Sequence, residues 1–458
     1  MLNIAFEGCC HSELDKIYRA VSQLNKRVDL LIIGGDFQAA RNIRDVNCMS
    51  IPPKYRRLGD FAEYYSGRKT APLLTLFIGG NHEASNYMWE LYYGGWVAKN
   101  IYYLGAAGVV NIGGVRIGGL SGIWNSRDYF KGHYERLPYN ERTKRSIYHI
   151  RQYDVLKLYQ LSGNVDVMLS HDWPAGIEHH GDLAELLRKK EFFRNDIKNH
   201  ELGSPPAMAL LKKIKPRWWL SAHLHVRFPG VVRHEEGEVR TEEVKAEGGE
   251  KVENSDEIVL DDMDFDTDEV ASPAAPPVAS DPVPSATAAI TEPHGFAETR
   301  FLALDKCLPR RQFLELLTLP TPPSTPSTTS LAPLTISYDP DWLAITKATA
   351  PSFSTDEDAP ELCATPEERL ALRERIERAR AWVEEHIVAK GKLTVPDNFE
   401  VSAKPGYHGE EKSKNAKYPP REYKNTQTQA FCELLGIENR IALSKTTARS
   451  PSPSPAII

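Results

Sequence analysis

Apolar residues in the first half of the chain come in short runs, each closed by glycine, serine or a polar cluster. They are LNIAF (2–6), VDLLIIGG (28–35), LLTLFIGG (73–80), GVVNIGGVRIGGLSG (108–122), VDVMLSH (165–171) and RWWLSAHLH (217–225). Runs of this kind predict buried strands, with active residues on the loops that follow them. Between the first two runs the period changes. In residues 12–26, Leu14, Ile17, Tyr18, Val21 and Leu24 fall on one face at helical spacing, predicting a helix. Residues 1–233 thus read as one α/β unit.

The pattern then breaks. Residues 234–298 are acidic and later rich in Pro, Ala and Ser, the composition of a disordered insertion. Order is expected to return over 299–319 (TRFLALDKCLPRRQFLELLTL), followed by a Pro/Thr/Ser linker at 320–333. A smaller region, 334–442, follows. It holds a helix from Thr365 to about Lys390, marked by an N-cap signature Thr-Pro-Glu-Glu with Pro366 in the first turn. Residues 443–458, ending SPSPAII, read as a disordered tail. No internal repeat is visible.

Bulk properties narrow the class only a little. The chain has 458 residues, enough for two or three domains, and a net charge of −6, which gives no overall nucleic-acid footprint. Charge segregated along the chain still permits RNA binding. The six cysteines are scattered and form no CxxC pair, so a reducing cytosol or nucleus fits better than an oxidising compartment. The start of the chain shows no secretory signal, and no apolar run reaches the roughly 18–20 residues of a membrane span.

The candidate chemistry sits at the run ends. Cys9-x-His11, Gly34-Gly35-Asp36, Gly79-Gly80-Asn81-His82-Glu83, Ser170-His171-Asp172 and Ala222-His223-Leu224-His225 each place a metal-capable side chain directly after an apolar run. One such histidine is ordinarily structural. The whole set, in this order, points to a binuclear metal site. Glycine before Asp36 and Asn81 allows tight backbone turns there.

These residues and their order resemble the calcineurin-like metallophosphoesterase superfamily over residues 1–233. Two positions depart from its usual pattern: Cys9 stands where Asp is usual, and Ala222 where Gly is commoner. The C-x-H opening resembles one branch, the RNA lariat debranching enzymes. So do GCCHSELDKIY, GGDFQAARN, PPKYRRLGDFAEYYSG, LFIGGNHEASN, YGGWVAKNIYYLGAAGVV, SHDWP, SAHLHVRF, FLALDKCLPRR and FCELLGIENRI.

The resemblance implies a four-layer α/β/β/α sandwich with a smaller C-terminal domain packed on it. It implies one divalent cation held by Cys9, His11, Asp36 and His225, and another by Asp36, Asn81, His171 and His223, with Asp36 bridging. Such a pair clamps a phosphodiester and lowers the pKa of a bridging water, whose hydroxide attacks phosphorus in line with the leaving oxygen. His82 is expected to donate a proton or steady the leaving group, and Asp172 to support His171 or to serve as a capping carboxylate. Thiolate at Cys9 is softer than carboxylate and favours Zn²⁺ or Fe²⁺ over Mg²⁺, with Mn²⁺ a further candidate. Cys10 is expected to point away and stay inert.

The implied activity is hydrolysis of the 2′–5′ phosphodiester at the branch point of excised intron lariats, giving linear intron RNA for turnover. Residues 124–154 resemble the recognition loop that selects branched RNA. Its expected contacts are Arg127, Tyr129, Lys131, His133, Tyr134, Tyr139, Arg145, Tyr148 and His149: cations for phosphates, aromatics for unpaired bases. The resemblance also implies a nuclear and secondarily cytoplasmic location, with spliceosome-associated proteins as partners and no membrane. Two alternatives stay open at this level. One is a phosphoesterase or nuclease of broader specificity; the other is a catalytically inactive RNA-binding splicing factor.

Overall fold

The computed structural model describes residues 1–234, 295–321, 334–407, 409–412 and 417–441. Apart from residues 234, 295–298 and 320–321, the insertion, linker and tail read from composition lie outside the described residues.

Thirteen strands are formed among the described residues: β1 (Leu2–Glu7), β2 (Leu30–Ile33), β3 (Leu74–Phe77), β4 (Gly95–Ala98), β5 (Ile101–Tyr103), β6 (Ala107–Ile112), β7 (Val115–Leu120), β8 (Val167–Ser170), β9 (Trp218–Ser221), β10 (Phe228–Arg233), β11 (Glu298–Ala303), β12 (Leu314–Leu319) and β13 (Ile336–Tyr338). They build a six-stranded sheet in the order β12-β1-β2-β3-β5-β4 and a seven-stranded sheet in the order β10-β11-β9-β8-β7-β6-β13. Strands β1, β2, β3 and β5 pair in parallel, as do β7, β8, β9 and β11. The outer pairings are antiparallel.

The continuous apolar runs have a direct cause: the central strands are covered on both faces. Along β1, Ile4 and Phe6 point between the sheets, meeting Leu30, Ile32, Ile117, Leu169 and Leu220. Ala5 points the other way, with Leu31 and Ile33, against Leu14, Ile17 and Val21 of the helix Leu14–Ser22. On the far side, Met168, Trp219 and Phe301 of the second sheet pack against Leu158, Leu210, Leu343 and Leu372 of four helices. The layers are therefore helix, sheet, sheet, helix, as the family resemblance implies. No helix among the described residues is long and apolar enough to cross a membrane.

Two features differ from the sequence reading. The run 108–122 is a hairpin, β6 turning into β7 at Gly113 and Gly114, whose φ angles of +59° and +80° suit a tight turn that residues with a Cβ disfavour. The returning segment is also more than a support for the C-terminal region. It supplies β11 alongside β9 and β12 alongside β1, so the chain completes both sheets only after the insertion.

The C-terminal region packs into the same core. Its helix Pro340–Thr349 is capped by Asp339, which also takes a two-pronged bond from Arg116 of β7 at 2.8 Å. The helix Pro366–Val383 starts at Thr365 with a capping box to Glu368 and runs on as a wider helical turn, Glu384–Val388. Residues 402–407 then return to the first sheet's side. There the fully buried Arg41 binds Asp45 (2.7 Å), Glu90 (2.8 Å) and the Ser402 hydroxyl (3.0 Å). Replacing Arg41 with Met removes the cation from two buried carboxylates. We expect a loss of about 3–5 kcal/mol, read as a lowered midpoint in chemical denaturation, and a near-unchanged midpoint would show that the pair is dispensable.

Candidate metal centre

The chemistry-bearing residues converge at the C-terminal ends of parallel strands. Cys9 and His11 follow β1, Asp36 follows β2, Asn81 and His82 follow β3, His171 follows β8, and His223 and His225 follow β9. This is where open α/β sheets bring loops together. The Cys9 sulfur, one oxygen of Asp36 and one ring nitrogen each of His11 and His225 all lie within 4.8 Å of one another. His11 Nε2 and His225 Nε2 face each other at 3.2 Å.

Asp36 looks both ways. Its Oδ2 lies 3.7 Å from His11 Nε2, while Oδ1 lies 3.5 Å from His171 Nε2 and accepts the His82 backbone N–H at 2.9 Å. On the Oδ1 side, His171 donates Nδ1–H to the Gly34 carbonyl at 2.8 Å, which leaves its Nε2 as a bare lone pair. The His171 and His223 ring centroids are 5.1 Å apart. Asn81 donates its amide nitrogen to His82 Nε2 at 3.3 Å, so its Oδ1 faces elsewhere. Both Asn81 Oδ1 and His171 Nε2 are buried without a hydrogen-bond partner. Buried polar atoms are nearly always satisfied, so orphaned acceptors beside a carboxylate fit a cation.

The protonation states of three rings agree with that fit, while at His171 burial is outweighed by the neighbouring Asp36, which raises the imidazole and favours a proton that a cation at Nε2 would displace. Burial pushes His11 down to about 4 and His223 to about 3, and it holds His225 well below the ordinary imidazole value. These rings are neutral and carry free lone pairs. Burial opposes ionisation of Asp36, yet His171, His82 and His11 hold its carboxyl well below the usual range. Burial, then Asp36 and Glu7, push the Cys9 thiol up, so a thiolate here calls for a cation beside it. Cys9 also accepts the His223 backbone N–H at 3.2 Å. Cys10, by contrast, points into the apolar layer with Ala5 and Leu14.

The loops pay for this convergence with unusual backbone. His11, Ser12, Asp36, Gln38, His223 and His225 all have φ between +45° and +63°, a region non-glycine residues avoid. Gly35, at φ +125°, lets His171 approach: a Cβ there would lie 2.1 Å from its Nδ1. A Cβ on Gly80 would lie 2.3 Å from Asp36 Oδ1.

His82 stands at the mouth. Its Nδ1 donates to the Ser50 carbonyl at 2.9 Å, fixing the ring with Nε2 toward the metal side. A cavity of about 1080 Å³ opens beside His11, Asn81 and His82 and is walled by residues 50–60 and by Arg145. Asp172 turns away from the centre. It accepts the Trp124 and Trp173 backbone N–H groups at 3.2 and 2.9 Å and so anchors the start of the 124–154 loop.

That loop is placed differently from the sequence reading in part. His133 lies inside, its Nε2 2.9 Å from Asp154 and its ring among Trp89, Tyr92 and Phe353. His149 is also buried, with Nδ1 2.7 Å from Asp128, and Tyr148 is buried beside it. These three build the loop's interior rather than its outer face. Tyr134 bonds Ser146 at 3.1 Å, and Lys131 bonds Asp128 and Glu357 at 2.9 and 3.1 Å. Tyr129 packs edge-on against Trp124 at 5.0 Å, and Tyr139 lines a second cavity with Trp89 and Phe353. Arg127 and Arg145 are exposed, and Arg145 reaches the metal-side cavity.

Sequence reasoning passed over two contributors. Lys54, Tyr55, Arg56 and Arg57 wall the cavity; their signal was cations interleaved with an aromatic in PPKYRR. Glu83 was quoted in GGNHE without a role. Its carboxylate accepts the backbone N–H groups of Phe37, Gln38 and Gly80 at 2.7, 2.8 and 3.1 Å, binding the β2 and β3 loops to each other. A Glu83→Gln change turns one acceptor into a donor facing an N–H. We expect metal affinity to fall by roughly 10–100-fold with the fold retained, measured by calorimetric metal titration. Unaltered affinity would remove Glu83 from the support of the site.

The calcineurin-like phosphoesterase family model matches residues 2–227, a family of divalent-metal phosphoesterases. The model for the lariat debranching enzyme C-terminal domain matches residues 296–440. Among curated relatives, a lariat debranching enzyme of Schizosaccharomyces pombe is 42% identical over 474 residues, covering 98% of this chain and 99% of that one. One from Arabidopsis thaliana is 39% identical, covering 97% of this chain and 89% of its own. One from Homo sapiens is 46% identical over 76% of this chain and 54% of its own. With matches to both parts of the chain and end-to-end similarity to a curated member, the chain belongs to the lariat debranching enzyme family.

Proposed function

We propose that this chain is a metal-dependent phosphodiesterase that opens the 2′–5′ bond at the branch point of excised intron lariats and releases linear intron RNA. The observation that carries the chemistry is the two-faced Asp36 carboxylate, with donor atoms gathered on both sides. Cys9, His11, Asp36 and His225 would hold one divalent cation, and Asp36, Asn81, His171 and His223 the other. When bound, such a pair supplies Lewis acidity toward the phosphoryl oxygens and the attacking water.

The chain's own residues do the rest. The neutral rings of His11, His223 and His225 offer lone pairs without first losing a proton. His171 is locked in one tautomer by the Gly34 carbonyl. His82, its ring steadied by Ser50 through Nδ1, turns Nε2 toward the metal side, and in its doubly protonated form that nitrogen would hand a proton to the departing 2′-oxygen. The soft Cys9 sulfur favours Fe²⁺ or Zn²⁺ over Mg²⁺, with Mn²⁺ as a third candidate. Arg127 and Arg145 on the 124–154 loop, with Tyr129 and Tyr134 behind them, would meet phosphates and bases near the branch. A nuclear location and spliceosome-associated partners follow from the substrate, since lariats are made where introns are removed.

The decisive experiment compares a short synthetic RNA carrying one 2′–5′ branch with its linear 3′–5′ counterpart, each with Mn²⁺, Fe²⁺ or Zn²⁺. Cleavage confined to the 2′–5′ bond is expected, strongest with Fe²⁺ or Zn²⁺. Cutting of both RNAs would leave a general phosphodiesterase. His82→Ala is expected to lower kcat by roughly 10²–10⁴-fold while KM stays near the parent value. A parental kcat in that variant would take His82 out of the mechanism.

A further inference from the structure

We propose that a surface running from the metal-side cavity, over residues 54–57, to residues 404–407 and 417–421 of the C-terminal region is a track for one single-stranded arm of the RNA. This deepens the function proposed above and rests on it for the identity of the substrate.

The track begins at the metals. The cavity that opens on His11, Asn81 and His82 has residues 54–57 on its wall. Acidic groups also line it, but each is engaged elsewhere. Glu13 pairs with Lys16, Glu63 with Arg68 and Glu141 with Lys144, all at 2.7 Å, while Asp60 accepts the Asp15 N–H at 3.1 Å. Two of the basic groups are less committed. Arg56 spends its Nε on the Ile51 carbonyl at 3.1 Å, and exposed Arg57 closes no ion pair among the described residues. Three of the four carboxylates on the wall thus have cations of their own, which leaves Arg56 and Arg57 to offer positive charge to the cavity although the chain as a whole carries −6.

Beyond the rim, the C-terminal segment is laid against the same side. Gly406 N–H donates to the Arg41 carbonyl at 2.8 Å, and Asn42 donates its side-chain amide to the Lys404 carbonyl at 2.9 Å. Glu410 turns inward to the Ile43 N–H at 3.1 Å. The groups that face solvent include aromatics and cations, with exposed Glu422 at the far end. Tyr407 and Tyr418 are each 58% exposed, and the Arg44 guanidinium lies 5.7 Å from the Tyr418 ring centre. Lys404, Lys417 and Arg421 are exposed beside them. Exposed rings alternating with cations suit unpaired bases and their phosphates without demanding a sequence. A branch nucleotide has three strands leaving it, so a bond held at the metals must send its arms across neighbouring surfaces, and this one adjoins the cavity: a Cβ on Gly406 would lie 2.7 Å from Leu58 of its wall.

The test uses the whole chain, a branched RNA core with one nucleotide per arm, the same branch with ten-nucleotide arms, and a labelled linear 12-nucleotide RNA. Tyr407→Ala/Tyr418→Ala and Lys404→Ala/Lys417→Ala change exposed positions, and an unchanged melting curve checks their folding. We expect cleavage of the core to be unaffected. KM for the long-armed substrate should rise at least about fivefold, and affinity for the linear RNA should fall by a similar factor in fluorescence anisotropy. The lysine variant should also lose salt dependence, by roughly 0.7 in log–log slope for each phosphate contact removed. Equal losses on core and long-armed substrates, or no change on either, would overturn the track. If the parent cleaves no branched RNA, the proposed activity fails separately, and the linear-RNA affinities still decide whether the surface binds.

Discussion

One buried carboxylate sets the terms for this molecule. Asp36 is nearly inaccessible to solvent, and a charge in such a place is costly unless opposite charge surrounds it. Its two oxygens face different groups, His11 on one side and His171 on the other. No single loop can deliver donors to both sides of a carboxylate. Loops from β1, β2, β3, β8 and β9 must meet, and only parallel strands pointing the same way from two facing sheets bring them to one place. The sandwich is in this sense the consequence of needing one anion in the middle of many donors.

Holding that arrangement requires support from far along the chain. The left-handed backbone at His11, Asp36, His223 and His225 is unfavourable by itself, by about 1–2 kcal/mol at each residue, and persists because its surroundings are over-determined. Glu83 ties two of the loops by three backbone bonds. The Cys9 loop is tied by the returning segment: Cys307 N–H donates to the Cys9 carbonyl at 3.3 Å, and Lys306 pairs with Cys9 as an isolated bridge. A donor at the ninth residue is thus held by chain that follows the long insertion. That explains why the segment after the insertion carries strands of both sheets rather than forming a separate unit.

The sequence made the central strands and the metal-capable residues legible for the same reason: both follow local rules. Runs buried on two faces read as unbroken apolar stretches, and donors sit immediately after them. The helix Leu14–Ser22 and the capped start at Thr365 were equally local. What stayed hidden was non-local. Strands β11 and β12 are 6 residues each, as long as β1, but their partners β9 and β1 lie far away in sequence. The turn inside GVVNIGG was masked by apolar residues on both sides of Gly113 and Gly114. In the 124–154 loop, histidines and tyrosines looked like surface ligands because composition does not say which face is inward. His133 and His149 were inward, each against a carboxylate.

That inward packing bears on how a branch would be told from an ordinary strand. The loop's interior is ionic: Arg151 binds Glu135 at 2.6 Å and the Asp128 carbonyl at 2.7 Å, Lys157 meets Asp154 at 3.1 Å, and the two histidines complete the set. Removing any one partner would leave a buried charge without compensation, so the loop has one favoured arrangement rather than many. A loop so built loses little entropy on meeting a ligand, and it holds exposed groups such as Arg127 and Arg145 at set positions relative to the metals. In the reaction proposed here, chemistry at the metals does not distinguish a 2′–5′ from a 3′–5′ phosphodiester. Discrimination must come from where the strands leaving the scissile phosphate are allowed to go. A rigid loop on one side of the cavity and the wall at residues 54–57 on the other limit those exits, and the third arm of a branch would add a contact that the two arms of a linear strand lack.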